Sequence, residues 1–127
     1  LGGAPAPPPQ PEAIIIRASL ITLDVNNASH YYYPAMIESF ACAETEKIFH
    51  ATRSRRLPPD IQRTARRKLL QLHAATQLSD VAVPPGNRLE ALKGRRAGQH
   101  SIRINDQWRI CFHWESGAHQ VEIVDYH

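Results

Sequence analysis

The sequence predicts an α+β fold, with two helices packed on one face of a mainly antiparallel sheet of four to five strands. Two patterns carry that expectation. Ile61, Ala65, Leu69 and Leu72 recur at steps of four, four and three, one apolar stripe along a helix. Trp108, Ile110, Phe112 and Trp114 alternate with Arg109, Cys111 and His113, the period of a half-buried strand. The order along the chain is strand, two helices, then an antiparallel meander.

Residues 36–40 alternate in polarity and read as a short strand. A helix is expected over 44–52, where Glu44 and Glu46 sit at the end that the helix dipole favours for acids. A basic connection at 54–57 leads to Pro58-Pro59, which can open the striped helix because a first turn needs no intrahelical N–H donors. The other faces of that helix carry Arg63, Arg66, Arg67 and Lys68. Val83-Pro84-Pro85-Gly86-Asn87 ends any helix and re-aims the chain. Residues 89–93 read as a short strand closed by Gly94. In 99–105, His100, Ile102 and Ile104 share one parity, and Ser101, Arg103 and Asn105 the other. Asp106-Gln107 is a weaker turn signal than Asn-Gly. Ser116-Gly117 turns again before a last strand over 118–126. With helices on one sheet face, the other is left polar and partly basic.

A chain of 127 residues suits one domain. Cys42 and Cys111 are too few for a disulfide framework, and no Cys/His spacing suits structural zinc. The apolar run around 13–23 is broken by Arg17 and falls far short of a membrane span. The glycine-rich phosphate loop, the dinucleotide fingerprint and the G-x-S-x-G elbow are all missing from the sequence, so those chemistries lose their usual signatures. Six of the ten prolines precede residue 35, and Met36 is the single methionine. The working domain is therefore read as 36–127, and 1–35 as a disordered leader or extension. The alternative is a genuine Pro-rich arm followed by a strand over 14–25. A signal peptide fits worse, because a basic n-region is missing and prolines come before the apolar stretch. Setting aside Arg17, Glu12 and Asp24 from 15 basic and 12 acidic residues leaves 14 against 10, so the domain is more basic than the whole chain.

Four elements then coincide: Leu89-Glu90-Ala91-Leu92-Lys93-Gly94, Gly98 with Ser101-Ile102, Trp108-Arg109-Ile110, and the ending Asp125-Tyr126-His127. Together they resemble the HigB type of the RelE superfamily of bacterial toxins, the plasmid-maintenance killer proteins, nearest to its GraT branch. The resemblance spans 36–127 and leaves out 1–35. It implies a compact RelE-like fold and a cytoplasmic, ribosome-dependent endoribonuclease that cuts mRNA in the ribosomal A site. Attack of a ribose 2′-OH on the adjacent phosphate would leave a 2′,3′-cyclic phosphate and a 5′-OH, with no metal or other cofactor. It also implies control by a HigA-like helix-turn-helix antitoxin, operator DNA being met only through that complex.

The implied reaction assigns roles to particular residues. Its transition state gains negative charge, which fixed cations stabilise. Arg109 matches the family arginine that contacts the scissile phosphate; its plain alternative is a surface strand arginine. Lys93 and Arg96 match basic family positions and would hold RNA backbone or anchor rRNA. Arg103, Arg53, Arg55 and Arg56 are further RNA-binding candidates, the last three in a mobile loop that docks on 16S rRNA through salt-sensitive phosphate contacts. A solvated basic face is the bland reading of those charges. His127, with an ordinary pKa of about 6.5, suits the general acid. Asp125 would orient the imidazole or a 2′-OH, and Tyr126 would stack on a base or rim the core. Glu90 stands where many HigB-type toxins carry histidine in L-H-P-L-K-G. A carboxylate of pKa about 4.3 among cations is a weak base, so a slower, milder toxin is expected. The rival reading is a non-catalytic basic RNA- or antitoxin-binding module. His100 and Cys111 read as packed residues, and His113 matches no family catalytic position.

Overall fold

The computed structural model describes residues 36–126. The readings for 1–35 and for His127 lie outside the described residues. Two helices, α1 (Ala43–Phe49) and α2 (Pro59–Ala74), precede four strands: β1 (Glu90–Ala91), β2 (Gln99–Arg103), β3 (Trp108–Trp114) and β4 (Ala118–Asp125). The sheet runs in the order β1-β2-β3-β4 with every pair antiparallel. The expected α+β class and meander are both present.

The strand expected at 36–40 forms only two isolated parallel bridges to β4, Ile37 to Ala118 and Phe40 to Val121. Between them Gln120 takes φ 53° and β4 shifts register against β3, so β4 meets this segment on either side of a bulge. Gly117 makes the approach possible: a Cβ there would lie 2.7 Å from the Met36 carbonyl oxygen. At φ 144° the position also favours glycine over any other residue.

α1 ends at Phe49, short of the expected Thr52. The Thr52 N–H donates to the Lys47 carbonyl at 2.7 Å and the Ala51 N–H to that of Ile48 at 3.0 Å. This is a Schellman ending in which the left-handed position is filled by Ala51, φ 63°, instead of the usual glycine. Thr45 of α1 is fully buried, and its Oγ1 accepts the Ile123 N–H at 2.9 Å, fastening the helix to β4. The following connection is pinned rather than loose. Ser54 Oγ donates to Glu44 at 2.6 Å and accepts the N–H groups of Arg56 and Leu57, while Gln62 bonds the Ser54 backbone. The Ser54 hydroxyl, then Lys47, holds the Glu44 carboxyl below the usual range.

Pro58 and Pro59 open α2 as expected, and Ile61, Ala65, Leu69 and Leu72 are all buried against the sheet. Ile48, Phe49, Ile102, Ile110, Phe112, Val121 and Ile123 are among the residues that join them in that core. Truncating Leu69 or Leu72 to alanine in such packing costs about 2–5 kcal/mol. Lys68 and His73 of α2 are buried too, which the stripe does not indicate. Lys68 Nζ donates to the Arg103 carbonyl, and burial pushes its pKa down.

α2 already stops at Ala74, ahead of the proline run. Two 3-10 turns, Leu78–Ala82 and Pro85–Asn87, carry the chain to β1. Asn87 is fully buried here and donates through Nδ2 to Gln71 Oε1 at 3.1 Å and to the Val81 carbonyl at 3.0 Å. β1 keeps only two of the five residues expected at 89–93, because Gly94 at φ 64° turns the chain into a 3-10 turn, Gly94–Arg96.

Candidate active site

The sheet face opposite the helices gathers most of the residues singled out from sequence. Antiparallel register sets Glu90 opposite Ser101, Ser101 opposite Cys111, and Cys111 opposite Glu122. Facing residues share a side of the sheet, so these four form one row across all four strands. The middle of the row is not solvated as a polar face would be: Ser101 and Cys111 are both fully buried. Burial pushes the Cys111 thiol up to about 11, so it packs as a protonated side chain.

Arg109 lies one step along, opposite Arg103 on one side and Val124 on the other. Two arginines facing each other across a strand pair repel unless neutralised. Arg103 is paired with Asp106, and Arg109 with Glu90 at 3.6 Å. The Arg109 guanidinium is further fixed by its Nε–H to Ser101 Oγ at 2.7 Å and its Nη2–H to the Arg88 carbonyl at 2.6 Å. Its carbon lies 5.9 Å from the centre of the Tyr126 ring. Only 11% of the side chain stays exposed. Of five N–H donors, those on Nη1 have no partner among the described residues. The result is a cation of fixed position with an uncommitted edge, the arrangement that can receive a phosphate oxygen.

Several of these supports are not marked in the sequence. The Arg88 carbonyl is aimed by a left-handed residue, φ 47°, at the end of the turn anchored by Asn87. Ser101 is marked by its parity and by the element it forms with Gly98 and Ile102, but not as the partner of Arg109. Glu122 is the larger omission. It accepts the Arg96 Nη1–H at 3.0 Å, a nitrogen that Gln99 Oε1 shares at 3.0 Å. Arg96, expected to hold RNA backbone, is thus held by a carboxylate of β4. Lys93 is exposed beside the Gly94 turn, without an ion pair among the described residues.

Glu90, Arg109, Tyr126 and Arg103 are therefore brought together. Asp125 is not: it pairs in register with Trp108, whose parity belongs to the core face, and accepts an N–H from Gln107 at 3.0 Å. Alternation along β4 turns it away from Arg109, although two residues adjoin that cluster. His127, the expected acid, is beyond the described residues. Arg53 lies elsewhere, lining a groove of about 540 Å³ with Arg63, Arg66 and Arg67 between the two helices. Arg55 borders a neighbouring cavity with Ser54 and Pro59, and Arg56 is exposed on the same pinned connection. These three belong to the helical side, away from Arg109. His100 faces the core, its ring stacked 6.4 Å from that of Phe112. Among the described residues no group of three or more His, Cys, Asp and Glu side chains could hold a metal ion, and no helix is long and apolar enough to cross a membrane.

Comparison with known proteins agrees with this architecture. The chain is 43% identical over 75 residues to Toxin HigB-1 of Vibrio cholerae serotype O1, covering 59% of this chain and 79% of that protein. It is 29% identical over 72 residues to an uncharacterized protein of Haemophilus influenzae, covering 57% and 71%. The family model described as the RelE-like toxin of the type II toxin–antitoxin system HigB matches residues 38–127. With that match over most of its length, and with its helices and four-stranded antiparallel sheet, the chain belongs to the HigB-like toxins of the RelE superfamily.

Proposed function

We propose that this toxin is a ribosome-dependent endoribonuclease that cleaves mRNA in the A site, in the cytoplasm, and is neutralised by a HigA-like antitoxin. The carrying observation is the Arg109 guanidinium, fixed by Ser101 and Arg88, with no partner on Nη1 among the described residues. An anion-stabilising donor held in place before reaction needs no reorganisation as charge develops on the phosphorane. A phosphate oxygen arriving at Arg109 competes with Glu90, whose 3.6 Å pairing is loose. The released carboxylate then accepts the 2′-OH proton as the 2′-oxygen bonds to phosphorus. The bond to the 5′-oxygen breaks, and His127 gives that oxygen its proton. Tyr126, beside Arg109, offers a ring for a base to stack on. Lys93 and Arg103 extend the positive field, Asp125 supports His127 at the strand end, and Arg53, Arg55 and Arg56 meet 16S rRNA phosphates.

Expression of the chain in growing bacteria, followed by mapping of mRNA 5′ ends, tests this reading. New codon-phased ends are expected, and they should vanish in Arg109→Ala and in His127→Ala. Growth inhibition of equal strength in all three proteins, without new ends, would instead make the chain a non-catalytic binding module.

A further inference from the structure

The row Glu90–Ser101–Cys111–Glu122 has a symmetry of charge that the proposed reaction uses only on one side. Its two inner residues are small and buried, and its two outer residues are carboxylates that each hold an arginine. Arg109 reaches over Ser101 toward Glu90, and Arg96 comes from the turn before β2 to Glu122. Register places Ser101 and Cys111 between Glu90 and Glu122, so both ion pairs border the same floor. Neighbouring strands lie about 4.8 Å apart, which sets the row's two outer carboxylates three strand spacings from each other.

The two arginines are held differently. Arg109 has neutral anchors on two of its nitrogens, so it stays in place when Glu90 is displaced. Arg96 uses one nitrogen, Nη1, for both Glu122 and Gln99, and about a third of its side chain is exposed. Its tether is the Gly94–Arg96 turn. An ion pair this accessible is weak enough for a phosphodiester to displace.

We propose that Glu122 sets the affinity of this face for single-stranded RNA by competing with a backbone phosphate for Arg96. This rests on the endoribonuclease reading of the Arg109 side. In the unliganded protein Glu122 neutralises Arg96. When RNA binds, the phosphate takes the guanidinium, and the loss of the Arg96–Glu122 pair subtracts from the affinity. Glu122 is thus a residue that limits binding, not one that reacts.

The test is binding of a short single-stranded RNA made uncleavable by 2′-O-methyl groups, read by fluorescence anisotropy on the full chain at two salt concentrations. Glu122→Gln keeps the size and an acceptor for Arg96 but removes the charge, and should bind about three- to tenfold more tightly, with a larger gain at low salt. Glu122→Asp retains the charge and should bind like the parent. In an Arg96→Gln background the Glu122→Gln gain should disappear. Equal affinity of the parent and Glu122→Gln overturns the proposal, as does a gain that persists without Arg96 or a parent that binds no RNA. If the affinities follow the expected order while no variant cleaves mRNA on ribosomes, the proposal stands and the endoribonuclease reading fails.

Discussion

Acid should loosen this fold through one buried histidine. His73 is 1% exposed, and its Nδ1 accepts the Ile37 N–H at 3.2 Å, tying the segment beside β4 to α2. A proton on Nδ1 would set two donors face to face. Burial, aided by the charge of His50, lowers the His73 pKa from 6.5 to about 4. The unfolded chain therefore binds this proton first as pH falls. Stability is complete above about pH 6.5, declines between about 6.5 and 4, and levels off below. Between pH 7.5 and 4.5 that shift amounts to about 2.5 kcal/mol at 1.36 kcal/mol per unit. Urea unfolding of the parent and of His73→Leu at those two pH values isolates the effect. The variant loses the Ile37 bond and starts less stable, but its pH dependence should be smaller than the parent's by about 2 kcal/mol or more. Comparing the two proteins cancels contributions from groups common to both. Parallel pH profiles for the two would refute the argument that His73 is held neutral by burial.

Other perturbations follow from single contacts. Gly117→Ala forces a Cβ to 2.7 Å from the Met36 carbonyl at a strained φ, and should cost more than about 2 kcal/mol in urea unfolding. Ala51→Gly relieves the left-handed position at the end of α1 and should raise stability by about 1 kcal/mol; a loss would contradict the Schellman assignment. Ser101→Ala removes the Arg109 Nε acceptor at 2.7 Å. It should lower mRNA cleavage about tenfold while antitoxin neutralisation is retained, and unchanged cleavage would mean that Ser101 does not position Arg109.

What was legible in the sequence follows the strength of local periodicity. The Ile61–Leu72 stripe and the Trp108–Trp114 alternation are long enough to declare a helix and a strand, and both occur where expected. Short elements are not legible where one backbone conformation decides the outcome. Ala51 ends α1 in a geometry usually marked by glycine, and a bulge at Gln120 limits residues 36–40 to two bridges. The candidate site was legible to the extent that Glu90, Arg109 and Tyr126, singled out where chemistry and motif coincide, are brought together by the structure. It was not legible where tertiary contact alters what a residue can do. Arg96 looks free in sequence and is held by Glu122 from 26 positions away. Asp125 adjoins the motif, but the alternation of β4 turns it from Arg109. The buried Lys68 and His73 sit on a helix whose sequence reads as basic outside and apolar inside.

The central claim is that Arg109, held over the polar sheet face, stabilises a phosphorane formed by the RNA's own 2′-oxygen. End-group analysis of mRNA cut on purified, programmed ribosomes addresses it most directly. The account predicts upstream fragments ending in a 2′,3′-cyclic phosphate and downstream fragments beginning with a 5′-OH, both reduced at least about a hundredfold in Arg109→Ala. Fragments with 3′-OH and 5′-phosphate ends, or cyclic-phosphate ends formed equally well by Arg109→Ala, would contradict it.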